Sequence, residues 1–312
     1  MSKLIQCPVC GHTNQPHYEQ CVKCNEPLRL GGRLLVDVKP SVWSIIFKSL
    51  GWMVIYMGLQ VVAAGVITPM YISTIDYTGD IVDEINRILP NAVLLSVIVS
   101  GLIFGLIYWL RYRKSHKEQP RMRALTITPK TMVLSVVIGF AMVFVSNLIL
   151  ALFNPLTMLV GMDFYMEQLN LISQLISGTS LPLAIVSVGI VGPIVEEVIF
   201  RGLIFYYFQK RYSVKTAIIV QAILFGVIHL NLAQASYAII IGLFLGYAYV
   251  YTQSIWVPII IHVVNNIVAM VVPEAIASMQ SWMLVTSGLA MLLLIIVILR
   301  MMKKEGYEFR AL

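Results

Sequence analysis

Long apolar runs recur along the chain, separated by short polar segments, and their lengths predict membrane-crossing helices rather than the half-buried helices of a soluble domain. The pattern predicts about eight crossings, over residues 42–72, 92–110, 132–153, 181–208, 216–230, 235–251, 255–272 and 281–302. Charges sort the connections. The segment around Asp76, Asp80, Asp83, Glu84 and Arg87 is acidic and is expected outside, as is the stretch holding Asp163 and Glu167, with a short amphipathic helix up to Ser177. Arg111, Arg113, Lys114, Lys117, Arg121, Arg123 and Lys130 form the densest basic loop, and Lys210, Arg211 and Lys215 a second; both are expected on the cytoplasmic side. Lys303 and Lys304 place the C-terminus there as well. The connections around 216–272 are very short, which makes those helices antiparallel neighbours. Gly101–Gly105 and Gly242–Gly246 are small-xxx-small pairs, expected at close helix contacts.

Composition agrees with this patterning. The 312 residues are 59% hydrophobic and 12% charged, well below the roughly one-quarter charged share of soluble domains. The net charge of +7 lies in the short connections, so it reports topology and gives no basis for nucleic-acid binding. The fold class expected is therefore an all-α polytopic membrane protein resident in the cell membrane, with lipid as its main solvent.

All four cysteines precede the first apolar run, as Cys7-x-x-Cys10 and Cys21-x-x-Cys24. Two such knuckles suit a tetrahedral structural zinc site, which gives a short segment the folding energy its small core lacks. Two disulfides would instead need an oxidising compartment, and nothing before Cys7 reads as a cleavable signal peptide. A zinc ribbon over 1–28 on the cytoplasmic side follows, joined by a linker at 29–41 to accessory helices over 42–180. A core over 181–272 and a last helix with its tail over 273–312 complete the order. With Lys23, inside the second knuckle, the only Lys or Arg from Cys7 to Cys24, the ribbon is expected to serve as a protein-recruiting or regulatory cap.

Ionisable groups are costly inside a bilayer, and here they form a compact set: Glu196, Glu197 and Arg201 in one run, His229 in the next, and His262 with Asn265 and Asn266 in another. Glu197 and Arg201 stand four apart on one helical face and neutralise each other, whereas Glu196 lies about 100° away without a local partner. Phe225 and His229, and likewise His262 and Asn266, are also four apart. One reading is a buried ion-pair network that clamps the bundle. The other is hydrolysis, which needs a base, a second proton carrier and oxyanion donors.

Glu196-Glu197-x-x-x-Arg201, Phe225-x-x-x-His229 and His262-x-x-x-Asn266 resemble, in order, the three motifs of the CAAX protease and bacteriocin-processing (CPBP, or Abi) family. The resemblance covers about 181–272 and implies an intramembrane endopeptidase similar to the type II CAAX prenyl endopeptidases, acting on membrane-associated peptides or proteins. It implies that Glu196 and His229 activate a water, that His262 and Asn266 hold the oxyanion, and that Glu197, Arg201 and Phe225 support them. A metal-dependent mechanism is the alternative; HExxH is absent, and a catalytic metal is not favoured. A non-catalytic immunity or scaffold protein of the same fold is the competing function, and transport a further one. Prenylation of the substrate does not follow from the resemblance, and peptide pheromones, bacteriocin precursors or membrane-protein remnants are the expected targets.

Overall fold

The computed structural model describes residues 5–7, 12–15, 18–23, 28–30, 33–34, 40–73, 81–112, 127–153, 167, 170, 173–174, 178–252, 254–271 and 279–302. The chain divides into two compact units, Met1–Val42 and Trp43–Leu312. In the first unit, β1 (Ile5–Gln6) pairs antiparallel with β2 (Thr13–Asn14), and β3 (Arg29–Leu30) with β4 (Arg33–Leu34). The second hairpin lies in the stretch expected to be a plain linker. Cys7 and Cys21 are both buried. The Cys7 N–H donates to the His12 carbonyl at 2.8 Å, and the Asn14 side-chain amide donates to Cys21 Sγ at 3.6 Å. Cys10 and Cys24 lie outside the described residues.

The second unit is helical: α1 (Val42–Ile72), α2 (Ile81–Tyr112), α3 (Pro129–Phe153), α4 (Leu181–Gln209), α5 (Val214–Val227), α6 (Leu232–Thr252), α7 (Trp256–Val271) and α8 (Ser281–Met302). In hydrocarbon a helix satisfies its own backbone polar groups, which is why the apolar runs adopt this form. Six of the eight, α1, α2, α3, α4, α6 and α8, are long and apolar enough to cross a membrane, and the chain is a multi-pass membrane protein. The other two, expected from sequence to be full crossings, are shorter. α5 has 14 residues and α7 has 16; at 1.5 Å per residue they measure about 21 and 24 Å against a hydrocarbon layer of about 30 Å. α2 begins earlier than expected, so Asp83 and Glu84 lie on helix instead of in the preceding loop. Asp76, Asp80 and Asp163 lie outside the described residues, as do the basic residues 113–126, the tail from 303 and most of 154–177; Glu167 is helical.

α3 is the packing hub, against α6, α7 and α8. Glycines set its distances: a Cβ on Gly139 would stand 2.7 Å from the Ile261 carbonyl oxygen of α7, and one on Gly288 of α8 would stand 2.6 Å from Leu148. The small-xxx-small pairs divide. Gly242 and Gly246 of α6 both face α5, where a Cβ would meet the Ala222 backbone at 3.0 Å and the Gln221 amide at 2.7 Å. Gly101 packs against Val191, whereas Gly105 faces open space, so only half of that pair makes the expected contact. Gly242→Val is therefore expected to lower the thermal midpoint in detergent, since overpacking typically costs about 1–3 kcal/mol, while Gly105→Ala leaves it unchanged. Equal midpoints for the two variants would remove this packing account.

Candidate active site

α4 is not a uniform α-helix. Ile185–Val191 and Val198–Ile204 are wound as π-helix, flanking the α-helical turn Gly192–Glu197. Such wide turns shift the side chains that follow and are frequent at functional sites. Here they bracket the two glutamates.

Glu197 and Arg201 are both fully buried and paired, Arg201 Nη1 donating to Glu197 Oε1 at 2.8 Å, as their spacing predicts. Arg201 Nη2 donates to the Gly242 carbonyl at 3.2 Å, and the guanidinium lies 4.8 Å from the centre of the Phe225 ring. A buried guanidinium needs this set of an anion, an acceptor and a π-face together. The same Gly242 carbonyl accepts from Gln221 Nε2 at 2.9 Å.

His262 Nδ1 stands 2.9 Å from Glu197 Oε1. A carboxylate only accepts, so Nδ1 carries the proton, and the ring presents Nε2 to Glu196, whose Oε2 is 3.8 Å away. Glu196 is the more accessible of the two glutamates, 21% exposed against 0% for Glu197. His229 is fixed differently: its Nδ1 lies 2.8 Å from the Phe225 carbonyl one turn back, to which it donates, so that bond leaves Nε2 uncommitted. Both imidazoles stand edge-on to the Phe225 ring, at 5.3 and 5.5 Å between centroids.

α5 ends at this point. The His229 N–H bonds to Gly226 at 3.3 Å and the Leu230 N–H to Val227 at 3.1 Å, a tightened last turn, and Leu230 then takes φ 50°. Asn231 starts α6 at once, its side chain accepting from Gln234 N–H at 2.9 Å.

Asn266 is held apart from the glutamates, donating through Nδ2 to the Val188 carbonyl of α4 at 3.0 Å and accepting from Asn265 Nδ2 at 3.0 Å. The structure thus sets Arg201, His229 and His262 around the Phe225 ring, with Glu197 bonded to Arg201 and His262, Glu196 3.8 Å from His262, and Asn266 one turn beyond His262. Among the described residues no three His, Cys, Asp or Glu side chains form a cluster suited to a metal ion. The motifs alone do not reveal Gln221 or Tyr56. Tyr56 of α1 is 3% exposed and stands within electrostatic reach of Glu196. A polar residue on an apolar helix was the available signal for both.

Removing Arg201 alone strands Glu197 in the bundle. Arg201→Met is expected to lower unfolding stability by about 3–5 kcal/mol, and Glu197→Gln with Arg201→Met to recover part of that loss, measured by denaturation in detergent. A double variant no more stable than the single one rules out charge compensation as the reason for the pair.

Residues 178–268 match the model of the family described as "Type II CAAX prenyl endopeptidase Rce1-like". A curated relative, "Putative membrane peptidase YdiL" of Bacillus subtilis (strain 168), is 34% identical over 87 residues, which are 28% of this chain and 36% of the relative. The chain thus spans about a third of that protein's length. No solved structure matches it significantly. The matched segment runs from just before α4 into α7 and contains Glu196, Glu197, Arg201, Phe225, His229, His262 and Asn266. Over that segment the chain is similar to the type II CAAX prenyl endopeptidase family and to this relative.

Proposed function

We propose that this protein is an intramembrane endopeptidase that hydrolyses peptide bonds of membrane-associated peptides or proteins by a glutamate-activated water. The observation that carries this reading is His262 set between two carboxylates, bonded to buried Glu197 through Nδ1 at 2.9 Å and turned toward accessible Glu196 through Nε2 at 3.8 Å. Glu196 takes a proton from water, assisted by the Nε2 lone pair of His229, and the resulting hydroxide adds to the scissile carbonyl carbon. His262 Nε2–H and Asn266 Nδ2–H hold the oxyanion. Because Nδ1–H of His262 already serves Glu197, this requires the ring to carry both protons. Collapse of the tetrahedral intermediate breaks the C–N bond, and Glu196 returns its proton to the leaving amine.

The reading extends to topology and the N-terminal unit. Counting α5 and α7, the chain makes eight crossings with both ends cytoplasmic, which places every basic connection inside. The four cysteines hold a structural zinc, and the unit they fold acts as a cap that recruits a protein partner. Buried Cys7 and Cys21 suit thiolate ligands, and the Asn14 amide on Cys21 Sγ is the kind of outer-shell donor such sites use. The zinc supplies folding energy to this unit and takes no part in hydrolysis.

The test is cleavage of a membrane-anchored peptide library by purified protein in liposomes. Wild type is expected to cut, Glu196→Gln to cut at least about a hundredfold more slowly, and a variant lacking residues 1–28 to keep its cutting rate in the presence of a chelator. Equal cutting by Glu196→Gln removes the glutamate mechanism. Chelator-sensitive cutting by the truncated form replaces it with a metal-dependent one. Cutting by neither form, with both folded, favours a binding-only immunity or scaffold role. Zinc is read separately, as one equivalent retained by wild type and lost from Cys10→Ser with Cys24→Ser; the same content in both excludes the ribbon site.

A further inference from the structure

The π-wound turn ahead of the glutamates leaves one backbone acceptor without its usual helical donors. The Gly192 N–H reaches five residues back to the Ser187 carbonyl, and Pro193, next in that register, has no N–H to offer Val188. The Val188 carbonyl is used instead by Asn266 Nδ2 of α7, at 3.0 Å. Gly189 makes the approach possible, since a Cβ there would meet Ile267 and Met270 of α7 at 3.0 Å.

A carbonyl only accepts, so Asn266 must turn its NH2 toward Val188 and its Oδ1 away. That oxygen receives Asn265 Nδ2 at 3.0 Å. Asn265 is 7% exposed, and its own Oδ1, buried, has no hydrogen-bond partner among the described residues. An orphaned buried acceptor is unfavourable. Turning the Asn265 amide over would set oxygen against oxygen at Asn266, so the pairing with Asn266 dictates the orientation. The chain of bonds has one direction only: Asn265 to Asn266 to Val188.

We propose that Asn265 and the carbonyl of Val188, freed by Pro193, are a positioning pair that locks the Asn266 amide so that its second N–H serves the oxyanion. This rests on the oxyanion role given to Asn266 above and adds the groups that hold it. Neither Asn265 nor Pro193 touches the reacting atoms; both act through Asn266.

The experiment measures kcat and KM in liposomes on the peptide cleaved fastest from the library, for wild type, Asn266→Ala, Asn265→Leu, Pro193→Ala and the two pairwise combinations with Asn266→Ala. Asn265→Leu and Pro193→Ala are each expected to lower kcat about tenfold to a hundredfold with KM unchanged, and neither to lower it further once Asn266 is already Ala. Pro193→Ala restores an N–H that competes for Val188; because Pro193 is buried, its thermal midpoint is measured alongside, and the fall in kcat is read on protein that remains folded at the assay temperature. A wild-type kcat in Asn266→Ala overturns the oxyanion role itself. With Asn266→Ala impaired, a wild-type kcat in both Asn265→Leu and Pro193→Ala overturns the positioning pair alone, as does a further fall in the double variants.

Discussion

A guanidinium fully buried among membrane helices is the constraint on which this molecule turns. Arg201 is 0% exposed, and its charge is tolerable only because three other groups surround it: the Glu197 carboxylate on its own helix, the Gly242 carbonyl on α6 and the Phe225 ring on α5. The carboxylate oxygen that neutralises it also holds His262 of α7. One ion pair therefore ties together α4, α5, α6 and α7, the helices of the family segment. The groups that join the helices are also those that orient the imidazole. A buried pair of this kind contributes less to net stability than to specifying one arrangement of helices over others.

The helices and the membrane setting were legible in the chain because lipid imposes a length and a composition that no soluble helix needs. The pairing of Glu197 with Arg201 was equally legible, since four-residue spacing on a helix dictates a shared face. What periodicity could not supply was the part that depends on departures from it. A regular 3.6-residue helix has no place for the two π-wound segments around Glu196 and Glu197, and their consequence, an acceptor at Val188 aimed at Asn266, lies in backbone register and not in any side-chain pattern. Gln221 was missed for a related reason: a lone amide in an apolar run has meaning only once its partner, a carbonyl on another helix, is known. The pair Gly101–Gly105 shows the opposite failure, in which the pattern was present but only one glycine met a neighbour.

The site also shows how a family segment sits within a longer chain. Its residues all fall within 178–268, yet Tyr56 comes from α1 and packs edge-on against Phe104 of α2, at 5.9 Å between ring centroids. Trp52, one turn earlier, donates to the Tyr207 hydroxyl of α4 at 3.3 Å. α1 thus meets α4 through Tyr207 and α2 through Phe104, while α2 approaches the turn that carries Glu196, Gly101 admitting Val191.

The shortness of α5 carries a consequence for the surrounding bilayer. Ile219, Ile223 and Val227 are exposed at four-residue intervals, so this helix shows lipid a continuous apolar stripe, but one several ångströms shorter than the acyl layer it meets. On the eight-crossing topology proposed above, lipid would have to compress to follow it, at a penalty that grows with every ångström of mismatch. On that topology a dimple of thinned membrane would lie on the flank next to His229, and the thickness of the host membrane would enter the energetics of the bundle.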